Sequence, residues 1–191
     1  MGGSGKRTTI MLALAVCAIA AFAFAQKNAP PKKYPSFKLE SGAFAAKAEI
    51  PVKHTCEGGD VAPPLAWAEP PAGTKSLVLI VDDPDAPDPA KPQLTWVHWV
   101  LFNIPKSTRS LPEGAKPLPS GSSEGLNDWK APGYRGPCPP IGRHRYFHKL
   151  YALDTELALM RPTKSDLEDA MDGHILAKGE LIGTYQKTGK K

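Results

Sequence analysis

The chain has 191 residues, with 24 Lys and Arg against 19 Asp and Glu and a formal net charge of +5. That length supplies one well-buried domain and is short for two ordinary ones. The basic residues are scattered apart from Lys32-Lys33 and Lys190-Lys191, which speaks against a nucleic-acid partner.

Residues 1–25 read as an export signal. Lys6 and Arg7 precede the apolar stretch Ile10 to Phe24, and Ala23-Phe24-Ala25 is a small-x-small cleavage site. Cys17 is a poor lipoprotein site because Val16 before it is not small, and the apolar run is short for a membrane span. The expectation is cleavage after Ala25 and a periplasmic or secreted protein. Loss of Lys6 and Arg7 lowers the formal +5 by two, to +3. Cys56 and Cys138 remain. In an oxidising compartment they are a disulfide candidate; the alternative is two buried free thiols.

Residues 26–36 are rich in Pro and Lys and read as a flexible leader. Phe37 to Leu39 and Phe44 to Ile50 alternate as strands do. Pro51 to Asp60 is a loop, and Leu65 to Ala68 a short strand. Leu77 to Val81 is wholly apolar and ends at the acidic, proline-stiffened turn Asp82 to Pro87. Trp96 to Pro105 is a second buried strand. Ser120 to Pro140 holds so much Gly, Ser and Pro, without runs of charge, that it reads as an ordered functional loop. Arg145 to Asp154 is a strand. Leu167, Ala170, Met171 and Ile175 repeat at helical spacing, so Lys164 to Lys178 reads as a helix capped by Thr163 and weakened at Gly173. Glu180 to Gln186 closes the sheet. Residues 37–187 would be the domain and 188–191 a basic tail. Strands dominate, so the fold class expected is mainly β: an antiparallel sandwich with one or two short helices near the C-terminus.

Strand alternation places Trp96, His98, Val100, Phe102 and Ile104 on one face, with His98 its one polar member. His144 shares parity with Tyr146 and His148. Two strands thus each present a histidine near an end, between the stiff loops Asp82 to Pro87 and Gly136 to Pro140. Imidazole N–H groups, a tyrosine hydroxyl and loop amides are donors, which suits a small anion such as phosphate. Trp96 and the prolines would shape a partly dry recess, while Trp99 and Trp129 are expected to pack. A zinc site from His54, Cys56, Cys138 and His144 has poor spacing. A hydrolase built on Asp83 or Asp85 with His98 and His144 lacks a marked nucleophile. No cofactor and no catalysis are expected.

Several stretches together resemble a known family. They are DDPDAPDP (Asp82 to Pro89), TWVHWVLFNIP (Thr95 to Pro105), GPCPP (Gly136 to Pro140) and HRYFHKLYALD (His144 to Asp154). HTCEGGDVAPPLAW (His54 to Trp67), LNDW (Leu126 to Trp129) and DAMDGHILAKGELIGTY (Asp169 to Tyr185) agree. The chain resembles the phosphatidylethanolamine-binding proteins, in their bacterial Raf-kinase-inhibitor-like branch, over roughly residues 37–187. The resemblance implies a sandwich with an anion pocket formed by Asp83, Asp85, Pro87, His98, Pro139, Pro140, His144 and Tyr146. It implies a phosphate or phospho-headgroup ligand, with modulation of a protein partner as a use. A protease inhibitor acting by surface contact is the alternative. Eukaryotic members add a C-terminal helix over the pocket; here the mouth is expected to be more open. Contact with a membrane surface and a homodimer stay open.

Overall fold

A computed structural model describes residues 33–189. The export signal, its cleavage site, most of the leader and Lys190-Lys191 lie outside the described residues. Eight strands are described: β1 (Leu39–Ser41), β2 (Leu65–Trp67), β3 (Ser76–Ala86), β4 (Leu94–Pro105), β5 (Ser110–Leu111), β6 (Ser123–Glu124), β7 (His144–Leu153) and β8 (Ile175–Tyr185). One helix, α1 (Lys164–Met171), lies between β7 and β8. Among the described residues no helix is long and apolar enough to cross a membrane.

The run Leu77 to Val81 becomes the middle of β3, the central strand of a five-stranded antiparallel sheet ordered β6-β4-β3-β7-β8. Its side chains point alternately to two covered faces, which is why the run is apolar throughout. Leu77, Leu79 and Val81 join Trp99, Leu101, Leu150, Leu181 and Tyr185 in one core. A three-stranded sheet, β1-β2-β5, covers that side with Leu39, Leu65, Trp67 and Leu111. Val78 and Ile80 face the other way, against Leu157 and against Leu167 and Met171 of α1. The molecule is mainly β, two antiparallel sheets packed face to face with one short helix outside them.

Two β-bulges overturn the simple alternation expected for β4. Leu77 pairs with Ile104 but Leu79 with Leu101, so Phe102 and Asn103 together oppose Val78. Val81 pairs with Trp99 and Asp82 with Val97, which leaves His98 as an extra residue. Each bulge shifts the parity by one. Val100 and Phe102 therefore face α1, while Trp99, Leu101 and Ile104 face the inter-sheet core.

The helix is also shorter than its apolar spacing suggests. Thr163 and Asp166 form a capping box at its start. Gly173, at φ 83°, turns the chain away after Met171. Ile175 then enters β8, which pairs with β7 from Ile175 to Tyr185. Phe44 to Ile50, expected as a strand, makes local turns, a bridge from Glu49 to Thr184 and a hydrogen bond from Lys47 N–H to the Ile182 carbonyl at 2.6 Å. The backbone is tied to β8 from Pro35 onward, through Lys178. At the other end Thr188 is held by Glu57, its amide at 2.8 Å and its hydroxyl at 3.1 Å.

Asp82 is fully buried on the helix side and joins three elements. Lys149 Nζ of β7 lies 2.7 Å from its carboxylate and Lys164 Nζ of α1 lies 2.5 Å away. Both lysine stems are mostly covered, so the charges are compensated where the strand needs them.

His148 packs on the opposite side of β7, its ring 5.6 Å from Phe44. Burial, with nearby His98 as a smaller contribution, pushes its pKa down to about 4. The unfolded chain binds that proton near pH 6.5, so stability is full above about 6.5 and falls as pH drops toward 4. The expected loss is about 3 kcal/mol, read from urea denaturation across that range. His148→Phe should flatten much of the fall; an unchanged pH profile in that variant would contradict it.

Candidate functional site

A recess of about 360 Å³ opens at the Asp83 end of β3. Its walls are Asp83, Ala86, Pro87, Trp96, His98, Trp129, Cys138, Pro139, Pro140, His144 and Tyr146. Strands β3, β4 and β7 supply its floor, and two proline loops supply its sides. The Ala86–Pro87 peptide is cis.

The bulge in β4 aims His98 at this recess. Its carbonyl accepts from Arg135 N–H at 3.1 Å, so the bulged residue leaves the strand ladder and pairs with the loop. Its ring Nδ1 lies 2.6 Å from the Arg135 carbonyl oxygen, which can only accept, so Nδ1 carries the proton. Burial pushes the ring's proton affinity down, although the Arg135 carbonyl and Asp83 oppose this. His98 is therefore neutral near pH 7, with a lone pair on Nε2. That nitrogen has no partner among the described residues.

His144 is placed differently. Its Nδ1 is 2.7 Å from Asp83 Oδ2, and its Nε2 is 2.9 Å from the Ile141 carbonyl oxygen. Nε2 is taken up by the Ile141 carbonyl and Nδ1 by the Asp83 carboxylate. Neither nitrogen is left for a ligand, so His144 offers its ring surface and not a free N–H. Asp83 has a partner on each oxygen, because its Oδ1 accepts from Asp85 N–H at 2.8 Å.

Asp85 is 4 % exposed but does not line the recess. A further bulge between Asp83 and Ala86 turns it outward. Its carboxylate accepts from Arg145 N at 2.9 Å, Nε at 2.9 Å and Nη2 at 2.7 Å. The Arg145 guanidinium holds the carboxyl below its ordinary range. Asp85 thereby clamps β7 to the first loop between His144 and Tyr146, and acts as a positioning residue.

Tyr146 lies between the two histidines. Its ring is edge-on to His98 at 5.2 Å and nearly parallel to His144 at 6.5 Å. The residue is 1 % exposed, and its hydroxyl is sealed without a partner among the described residues. Buried hydroxyls left so are uncommon in folded proteins. Burial pushes the phenol's pKa upward, so the hydroxyl keeps its proton and is a donor.

The second loop is anchored from behind. Cys56 and Cys138 form a disulfide, which decides between the two readings of that pair and removes both thiols from any metal set. Cys56 N–H donates to the Pro137 carbonyl at 3.1 Å, Gly136 N–H to Asp60 Oδ1 at 2.7 Å, and the Tyr134 hydroxyl to the His54 carbonyl at 2.8 Å. Gly136 is required by this contact: a Cβ there would sit 2.2 Å from the His54 oxygen.

Seven of the eight site residues expected from the sequence thus line one recess: Asp83, Pro87, His98, Pro139, Pro140, His144 and Tyr146. Trp129, expected to pack, is part of the wall. It stands edge-on to Trp96 at 5.3 Å, with the Arg135 guanidinium 5.6 Å above its ring. Asn127 places it, accepting from Trp129 N–H at 3.0 Å, and Asp128 takes Val97 N–H at 2.8 Å. The Asn-Asp-Trp run inside a Gly/Pro-rich loop was the available signal. Arg135 and Ile141 act through backbone carbonyls, which no side-chain pattern marks.

The family model for phosphatidylethanolamine-binding protein matches residues 40–186. The chain belongs to the phosphatidylethanolamine-binding protein family. Among its relatives, a UPF0098 protein of Methanothermobacter thermautotrophicus is 48% identical over 153 residues, covering 78% of this chain and 98% of that one. The crystal structure of a phosphatidylethanolamine-binding protein homologue from Chlamydia trachomatis superposes with a TM-score of 0.73 at 42% identity, covering 80% of this chain and 98% of that one. E. coli YBCL, described as a member of the mammalian family, superposes at 0.72 with 30% identity, covering 80% and 99%. In this phosphatidylethanolamine-binding family member the bulges, loops and disulfide lie within the matched span.

Proposed function

We propose that the recess binds a small anion of phosphate or phospho-headgroup type, and that the protein acts by binding and without turnover. The recess carries this reading: it is large enough for a small ligand, and its wall includes His98, whose Nε2 has no partner among the described residues. The proline walls and the disulfide hold the geometry in advance, which lowers the ordering cost of binding. Family membership supports the ligand class. Binding without chemistry is supported by the wall itself: it holds no serine or threonine, and its one cysteine is in the disulfide. The same disulfide supports an exported protein, since such bonds persist in oxidising compartments.

Isothermal titration with inorganic phosphate and with phosphoethanolamine tests the site. Weak binding is expected, reduced about tenfold or more in His98→Ala, the scale for losing a hydrogen bond to a charged group. Equal affinity in that variant would remove His98 from the site. A phosphoester panel showing turnover would overturn the non-catalytic reading.

A further inference from the structure

Resting on that reading, we propose that Cys138 is a thiol-exchange site in the wall of the recess: a dithiol that opens the Cys56–Cys138 bond weakens anion binding, and a bound anion protects the bond. The recess is then firm in an oxidising compartment and slack in a reducing one.

The wall Cys138-Pro139-Pro140 has few ties of its own. The hydrogen bonds that join the second loop to the segment His54 to Asp60 all lie before it, at Tyr134, Gly136 and Pro137. The next tie lies after it, where the Ile141 carbonyl meets His144 Nε2 at 2.9 Å. Between Pro137 and Ile141 no hydrogen bond is found among the described residues, and the two prolines have no N–H to give. Pro139 is buried and held by packing, whereas Pro140 is exposed. Beyond that packing, the S–S bond to Cys56 is what fixes this wall, and it bridges 82 residues of sequence.

The bond is also open to attack. Both cysteines are exposed, and Cys138 forms part of the recess wall. Exposed disulfides are the ones that exchange with thiols most readily. A thiolate of the dithiol attacks Cys138 Sγ. A new S–S bond to the reagent forms, the bond to Cys56 breaks, and Cys56 leaves as a thiolate that takes up a proton. The reagent's second thiol then displaces Cys138 and closes the reagent into its own disulfide. Two electrons have passed to the protein, and both cysteines end as thiols. By linkage, the factor that reduction takes from anion affinity is the factor by which a saturating anion favours the oxidised bond.

Isothermal titration with inorganic phosphate tests the proposal, on the oxidised protein and on the same sample after dithiothreitol treatment, with circular dichroism recorded beside it. Reduction should weaken phosphate binding about tenfold, equivalent to a wall in place roughly a tenth of the time. The sheet spectrum should be kept. In a dithiothreitol redox buffer, saturating phosphate should then lower the midpoint potential of the bond by about 30 mV, the equivalent of tenfold for two electrons. Sodium chloride at equal ionic strength should leave the midpoint where it was. Cys56→Ala with Cys138→Ala should bind phosphate as weakly as the reduced protein and should not respond to dithiothreitol. Equal phosphate affinity in the two redox states, or a midpoint unmoved by phosphate, would overturn the proposal and leave the anion site standing. Loss of the sheet spectrum on reduction would also overturn it, because the bond would then staple the whole fold and not one wall. Failure of the oxidised protein to bind phosphate would bring down both readings.

Discussion

His144→Ala is expected to lower stability by about 3–5 kcal/mol, the largest single-residue effect at this site. The substitution deletes a small volume, and that is not the main reason. Asp83 is 3 % exposed, and its Oδ2 relies on His144 Nδ1 at 2.7 Å. Removing the imidazole leaves a buried carboxylate with one amide partner, and frees the Ile141 carbonyl that positions the second loop. Urea denaturation checks the magnitude. A double-mutant cycle with Asp83→Asn checks the cause: the pair should cost clearly less than the sum of the two single changes. A loss below about 1 kcal/mol would mean that Asp83 recovers its solvation through the recess mouth. Phosphate titration of His144→Ala should show no binding, because the ring is part of the recess wall and packs along Tyr146.

Replacing both disulfide cysteines, as Cys56→Ser with Cys138→Ser, is expected to cost about 4 kcal/mol. The bond spans 82 residues of sequence, a long loop to leave open in the unfolded chain. A loss of that size corresponds to a melting temperature lower by about 10 °C for a domain of this length. The fold should persist, because three hydrogen bonds join the same loops: Cys56 to Pro137, Gly136 to Asp60, and Tyr134 to His54. The recess should weaken with it, since Cys138 and the two prolines after it form one wall. Calorimetry of the serine variant against the oxidised parent decides the point. An unchanged melting temperature would mean that those hydrogen bonds alone restrain the loops.

The central sheet could be read from one dimension. An apolar run with both faces covered, ending in Asp and Pro, has few other places to go. The four motifs carried the family and with it most of the wall of the recess. The errors have a common physical origin. Parity along β4 failed because a bulge inserts a residue without any composition that marks it; Asn103, at φ 54°, is the one residue that hints at the bulge opposite Val78. The helix beyond Met171 failed because apolar spacing continued across Gly173, while the pairing of β8 with β7 satisfied the backbone there instead. Trp129 looked like packing because its loop has no periodicity to give its side chain a direction.

Which residues meet was thus largely a property of the sequence, because motif chemistry and hydrophobic pattern are local. What each does on arrival was decided by tertiary structure. Asp83 and Asp85 are two residues apart and chemically alike, yet one backs the recess and the other grips Arg145. His98 and His144 both reach the wall, yet one keeps a free lone pair and the other keeps nothing. The difference lies in backbone carbonyls at Arg135 and Ile141, brought there by loops closed over long distances. A carbonyl is the same at every position of a chain, so only folding decides whose proton it takes.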